Sequence, residues 1–109
     1  MAKTPTRPAL QALIFVPELV PQIQTGEKLN TVREGHRDYK EGQVLLGSPE
    51  TNWCAMKTIT TVTHTTIAKM ARKDYLHQGW ADRNQVLTDM QGYYPNLTMD
   101  SPITVVWWK

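Results

Sequence analysis

The sequence predicts an α+β fold: a small, mostly antiparallel β-barrel carrying two to three short helices. Three observations lead there. Extended, apolar or β-branched stretches recur at 10–16, 28–34, 43–47, 53–66 and 103–108. Helical signals are confined to one short segment ending at Gly26 and one insertion between Thr66 and Tyr93. The longest extended stretch, Trp53–Thr66, does not keep a single alternation of faces. A bulge, or a strand passing between the sheets of a small barrel, gives that pattern. Neighbouring strands with the helices segregated into one insertion point to α+β architecture and away from alternating βαβ units.

The elements follow in order. Residues 1–9 carry two prolines, two cations and no apolar pattern, and read as a flexible arm ahead of a single domain at 10–109. Leu10–Val16 is a short apolar run suited to a buried strand. Pro17–Gly26 reads as one to two turns of helix. Pro17 and Glu18 suit a first turn, Leu19 and Ile23 share a face, and Gly26 is a left-handed stop. Lys28–Glu34 is a strand whose facing stays open, because Val32 breaks the alternation. A polar loop bounded by Gly35 and Gly42 leads to a strand at Gln43–Gly47, and Ser48–Asn52 is a turn. After the long strand, Ile67–Ala71 and Tyr75–Leu76 suggest helical turns, interrupted at Gly79-Trp80. Asp82 is an N-cap for a helix over 83–91, with Gly92 as its stop. Ile103–Trp108 closes the chain as a strand with Ile103, Val105 and Trp107 on one face.

At 109 residues the chain fits one domain that buries a core without disulfides or a metal. A net charge of +2 with no basic run permits a nucleic-acid partner without arguing for one. Cys54 is the only cysteine, so neither an intrachain disulfide nor a cysteine metal site is available, and a reducing compartment is expected. Beside Trp53 in a strand, it reads as a buried small side chain. Ala12–Val16, the longest apolar run, is too short for a membrane span, and no signal-peptide order opens the chain. A cytoplasmic protein without a membrane partner is the expectation. His36, His64 and His77 lack metal-ligand spacing, and no phosphate-binding glycine loop is present, so no metal and no cofactor is expected.

One stretch concentrates chemistry. Gly26-Glu27-Lys28-Leu29-Asn30-Thr31-Val32-Arg33 places an amine, a hydroxyl and a guanidinium within six residues, just after a turn. Such a set suits an anionic or polar planar ligand better than a core. Spacing alone favours an ordinary exposed strand bearing polar residues.

The chain resembles the ASCH domain, a member of the PUA-like barrel superfamily, over Ile14–Lys109. The resemblance rests on Gly26-x-Lys28-x-x-Thr31-x-Arg33, Tyr39-Lys40-Glu41-Gly42, the extended Cys54–Val62 segment, Gln78-Gly79-Trp80, Tyr94-Pro95 and an apolar terminal strand. Within that family it is most similar to the small bacterial 4-N-acetylcytidine amidohydrolases. The resemblance implies a PUA-like barrel whose cleft takes RNA or a modified, cytidine-like nucleoside. It implies Lys28 as proton acceptor and Thr31 as nucleophile if the domain is catalytic, with Arg33 beside them. A threonine hydroxyl needs an adjacent base, and a lysine serves only when burial or a neighbouring cation lowers its pKa.

Two positions depart from the family. The Glu that would donate a proton is Gln78, and the Gly-Asp after the loop is Gly42-Gln43. Asp74 and Asp82 are the nearest carboxylates in sequence, and neither aligns. Gln78 can orient a ligand but cannot give or take a proton. Binding by Lys28, Thr31, Arg33, Gln78 and Trp80 is therefore expected ahead of hydrolysis, with a protein-interaction domain carrying a vestigial site as a third reading. Trp80 serves either as a stacking surface or as core.

Overall fold

The computed structural model describes residues 11–109; the arm at 1–9 and Leu10 lie outside the described residues. Five strands among the described residues form one curled, mixed sheet, a half-barrel. They are β1 (Gln11–Ile14), β2 (Asn30–Glu34), β3 (Gly42–Ser48), β4 (Trp53–Thr66) and β5 (Pro102–Trp108). The spatial order is β1-β3-β4-β5-β2. β1 runs parallel to β3, and the other three pairings are antiparallel. Among the described residues three α-helices accompany the sheet: α1 (Val20–Thr25), α2 (Arg72–His77) and α3 (Arg83–Gln91). None is long and apolar enough to cross a membrane.

Local chemistry accounts for the elements. A single 3-10 turn at Pro17–Leu19 leads into α1, which ends at Gly26 with φ 83°, the left-handed stop anticipated for that glycine. Asp82 caps α3 by accepting from the Gln85 amide at 2.9 Å. β4 carries the anticipated bulge, between Ile59 and Thr61. Up to Ile59, the odd-numbered residues are the more buried; beyond the bulge, Val62 packs inward. The one extra residue lets the strand serve two stretches of core without losing its pairing to β5.

The core lies on both faces of the sheet. Ile103 and Val105 of β5 join Ile67, Met70, Val86 and Met90 beneath α2 and α3. Val106 and Trp108 join Leu13, Phe15, Ile23, Val44 and Ile59 inside the curl, with α1. Successive side chains of a strand point to opposite faces, so a strand covered on both sides reads as a continuous apolar run. The same reason resolves β2. Val32 belongs to the helix-side core, whereas Thr31 and Arg33 share the other face, where a hydrogen bond joins them. The alternation of facing is intact, and only the alternation of polarity is lost.

Cys54 is a correction. It is exposed, on the outer face of β4 with Met56, which is 48% exposed. Its cross-strand partner is Gly47, which has no side chain to cover it.

Candidate ligand-binding site

The half-barrel leaves β1 and β2 as its two edges, and a cleft of about 560 Å³ runs where they face each other. Phe15 at the end of β1, Lys28, Thr31 and Arg33 line it from the strands. Gln78, Trp80, Asp89 and Tyr94 line it from the helical insertion. All five residues singled out in the sequence therefore meet in one cleft.

Lys28 reaches the site because the chain folds back after Gly26, its amide donating to the Gln22 carbonyl at 3.0 Å. Only 7% of the residue is exposed. Its ammonium donates to Gln78 Oε1 at 2.9 Å and lies 6.0 Å from the Phe15 ring centroid. Burial, and then the neighbouring Arg33 charge, lower the Lys28 pKa from 10.5 to about 8.

Arg33 is held at three points. Nε donates to Thr31 Oγ1 at 3.1 Å, Nη2 donates across the seam to the Ile14 carbonyl at 2.9 Å, and the guanidinium lies 4.9 Å from the Phe15 centroid. Burial pulls its pKa below the ordinary arginine value, against the opposing influence of Tyr39 and Tyr94. Thr31, also buried, uses its oxygen as an acceptor and keeps its hydroxyl proton for a further partner. No hydrogen bond joins Lys28 to Thr31 among the described residues.

Gln78 caps the C-terminus of α2, and its amide orientation is fixed from both sides. Lys28 can only donate, so it meets Oε1. The Asn30 carbonyl can only accept, so it meets Nε2, at 3.1 Å. Two further bonds stitch α2 to the start of β2: the Leu29 amide donates to His77 Nε2 at 2.9 Å, and Asn30 Nδ2 donates to the Asp74 carbonyl at 3.0 Å. Asp74 is buried and accepts from Trp107 Nε1 at 2.8 Å, which keeps it away from the cleft. Gly79, with φ 88°, turns the chain so that Trp80 packs against the helix-side core while also lining the cleft. Trp80 thus belongs to the core and also forms part of the cleft wall. Its indole N–H donates to Asp89 Oδ2 at 2.6 Å.

Phe15, Asp89 and Tyr94 are cleft residues that site reasoning from sequence missed. Phe15 sits in an apolar run with nothing to separate it from ordinary core. Asp89 is nine positions from Trp80, a spacing that marks no single face of a helix. The histidines also hold a contact invisible in spacing: His36 and His64 stack at 4.8 Å between centroids. No group of three or more His, Cys, Asp or Glu side chains able to hold a metal occurs among the described residues.

The electrostatics are lopsided. Among the described residues the one ion pair joins Lys40 to Asp38 at the surface, so neither Lys28 nor Arg33 has a carboxylate partner. Two neighbouring cations, mostly withdrawn from water and held by neutral acceptors, face open volume. Comparison with protein-family models, with curated proteins and with solved structures finds no match to this chain.

Proposed function

We propose that this is an ASCH-like domain that binds RNA or a modified, cytidine-like nucleoside in the cleft between β1 and β2. The observation that carries the reading is the pair Lys28, buried, and Arg33, half-buried beside it, with no carboxylate paired to either among the described residues. Withdrawing a charge from water costs several kcal/mol unless something compensates it. A ligand rich in carbonyl, ring-nitrogen or phosphate oxygen acceptors supplies that compensation. The cleft volume lies in the range of small-molecule sites, and the half-buried Trp80 and Tyr94 line it with aromatic surface for a planar base.

A second reading has its own support. With a pKa of about 8, Lys28 is a free amine in roughly a tenth of molecules at pH 7, enough for a general base. In an amidohydrolase, Thr31 Oγ would take the acyl group from 4-N-acetylcytidine, the N4 nitrogen would leave protonated as cytidine, and water would release acetate. Against it stands Gln78, which has no proton to give.

One experiment separates the readings. The protein is titrated with 4-N-acetylcytidine and with a short single-stranded RNA while free cytidine is monitored. The expected result is binding without turnover, weakened at least about tenfold by Lys28→Ala and by Arg33→Ala. Turnover abolished by Thr31→Ala would establish the amidohydrolase instead. Neither binding nor turnover would leave a protein-interaction domain with a vestigial site.

A further inference from the structure

Lys28 and Arg33 hold more donors than the protein uses. An ammonium has three N–H groups. Among the described residues only one of them is bonded, to Gln78 Oε1 at 2.9 Å, although the lysine is nearly closed to water. Arg33 spends Nε on Thr31 and Nη2 on the Ile14 carbonyl, and its Nη1 has no partner among the described residues. Thr31 accepts from Arg33 and keeps its own hydroxyl proton. Both cations lie against one ring, with Lys28 Nζ 6.0 Å and Arg33 Cζ 4.9 Å from the Phe15 centroid. Arg33 is near enough for its charge to add to the effect of burial on Lys28, whose pKa stands at about 8. Neither cation has a carboxylate partner among the described residues, and both line an open volume of about 560 Å³. The cluster therefore lacks an anion, has spare donors to hold one, and contains an amine that can become one.

We infer that Lys28 is a site of reversible carbamylation by carbon dioxide, with Arg33 and Thr31 as the donors that hold the carbamate. The ammonium first releases a proton to water. The freed Nζ lone pair then attacks the carbon of carbon dioxide, a C–N bond forms, and one C=O electron pair moves onto oxygen. A second nitrogen proton leaves to solvent, so Nζ–H and a carboxylate remain, and nothing is oxidised or reduced. The remaining N–H keeps the Gln78 bond, so no donor on Nζ is left unspent. The new carboxylate accepts from Arg33 and from the Thr31 hydroxyl, and charge-assisted bonds of this kind are the strong ones. Other lysine modifications do not answer the charge. An imine with an aldehyde leaves a neutral or cationic nitrogen beside Arg33, and an acyl group leaves a neutral one. Only the carbamate turns two like charges into an ion pair. It would also close the cleft to a ligand read through its acceptors. That consequence rests on the nucleoside-binding reading, whereas the modification itself does not.

The test incubates the full chain with isotopically labelled bicarbonate at about pH 8, where a large share of Lys28 is free amine. Carbamates are trapped as esters with a trialkyloxonium salt and located by mass spectrometry of peptides. Label is expected on the peptide carrying Lys28, and carbamates on other amines do not count. Lys28→Ala should remove it. Acetylation of Lys28 by acetic anhydride, run in parallel, reports how much free amine each variant offers. The ratio of carbamate to acetyl at Lys28 should fall about tenfold or more in Arg33→Gln, which takes away a charged hydrogen-bond partner. An unchanged ratio would mean that Arg33 acts on the amine alone and holds no carbamate, which overturns the inference. So does the absence of label at Lys28 in the wild type while acetylation there proceeds. Thermal unfolding of each variant checks that the ratios are measured on folded protein. Each readout is independent of what the cleft binds, so failure here leaves the nucleoside-binding reading to its own titration.

Discussion

At the scale of single residues, burying Lys28 costs the fold stability. Its pKa falls from 10.5 in the unfolded chain to about 8 in the fold, chiefly by burial. Below pH 8 both states carry the proton, and the folded state bears the cost of the buried charge. Between about 8 and 10.5 the unfolded chain binds more protons, so stability rises with pH across that window. At about 1.4 kcal/mol per pH unit the full rise is roughly 3 kcal/mol. Lys28→Met should remove that slope and stabilise the protein at pH 7 by about 1–2 kcal/mol, once the unpaired Gln78 oxygen is subtracted. It should also abolish ligand binding. Denaturant unfolding at pH 7 and pH 10 measures both terms, and destabilisation at pH 7 would show that the Lys28–Gln78 bond outweighs the burial cost. Gln78→Glu places a carboxylate against Lys28 and should raise the lysine pKa, shrinking the same slope. The new group also faces the Asn30 carbonyl, which favours its protonated form. If a missing proton donor is all that prevents hydrolysis, this variant should release cytidine from 4-N-acetylcytidine where the wild type does not.

At the scale of elements, the site depends on how α2 is tied to β2. His77, Asn30 and Gln78 make the ties, and each satisfies a backbone group. His77→Phe leaves the Leu29 amide unpaired and should cost about 1–3 kcal/mol. Amide hydrogen exchange should show faster opening at Leu29 and through α2 than in β4 and β5, and uniform loosening would mean that the tie is not local. None of this was legible in the sequence, because the partners lie 44–50 residues apart. What was legible had local causes. Gly26 as a helix stop, Asp82 as a cap and the bulge in β4 all announce themselves within a few residues. Lys28, Thr31 and Arg33 were legible as a cluster by proximity in sequence, and Gln78 by resemblance. Cys54 was misread because exposure depends on what the facing strand carries, and the facing residue is Gly47. Asp89 escaped because only the packing of α3 brings it to the cleft.

At the scale of the whole molecule, the cleft exists because the sheet does not close. Among the described residues β1 (four residues) pairs only with β3 and β2 only with β5, so both stand at the edges of the sheet. Arg33 spans the gap with one planar fork, bonding Thr31 on its own strand and the Ile14 carbonyl at the end of the other. Lysine has no fork, so Arg33→Lys should lose one of these bonds, lower stability by about 1–2 kcal/mol and weaken binding while retaining the charge. The same architecture would limit how RNA could be held under the proposed function. The net charge is +2, and the two cations that line the cleft share one site and form no stripe along the surface. If Lys28 and Arg33 alone met phosphate, two contacts at about −0.7 each would give a slope near −1.4 for log affinity against log salt on a single strand. A free nucleoside, having no phosphate, should show almost no salt dependence. Affinity for a short RNA and for cytidine, each measured between about 50 and 200 mM salt, should give those two slopes. An RNA slope of about −4 or steeper would instead require some six phosphate contacts, which this cleft does not offer, and would place the binding surface elsewhere on the chain.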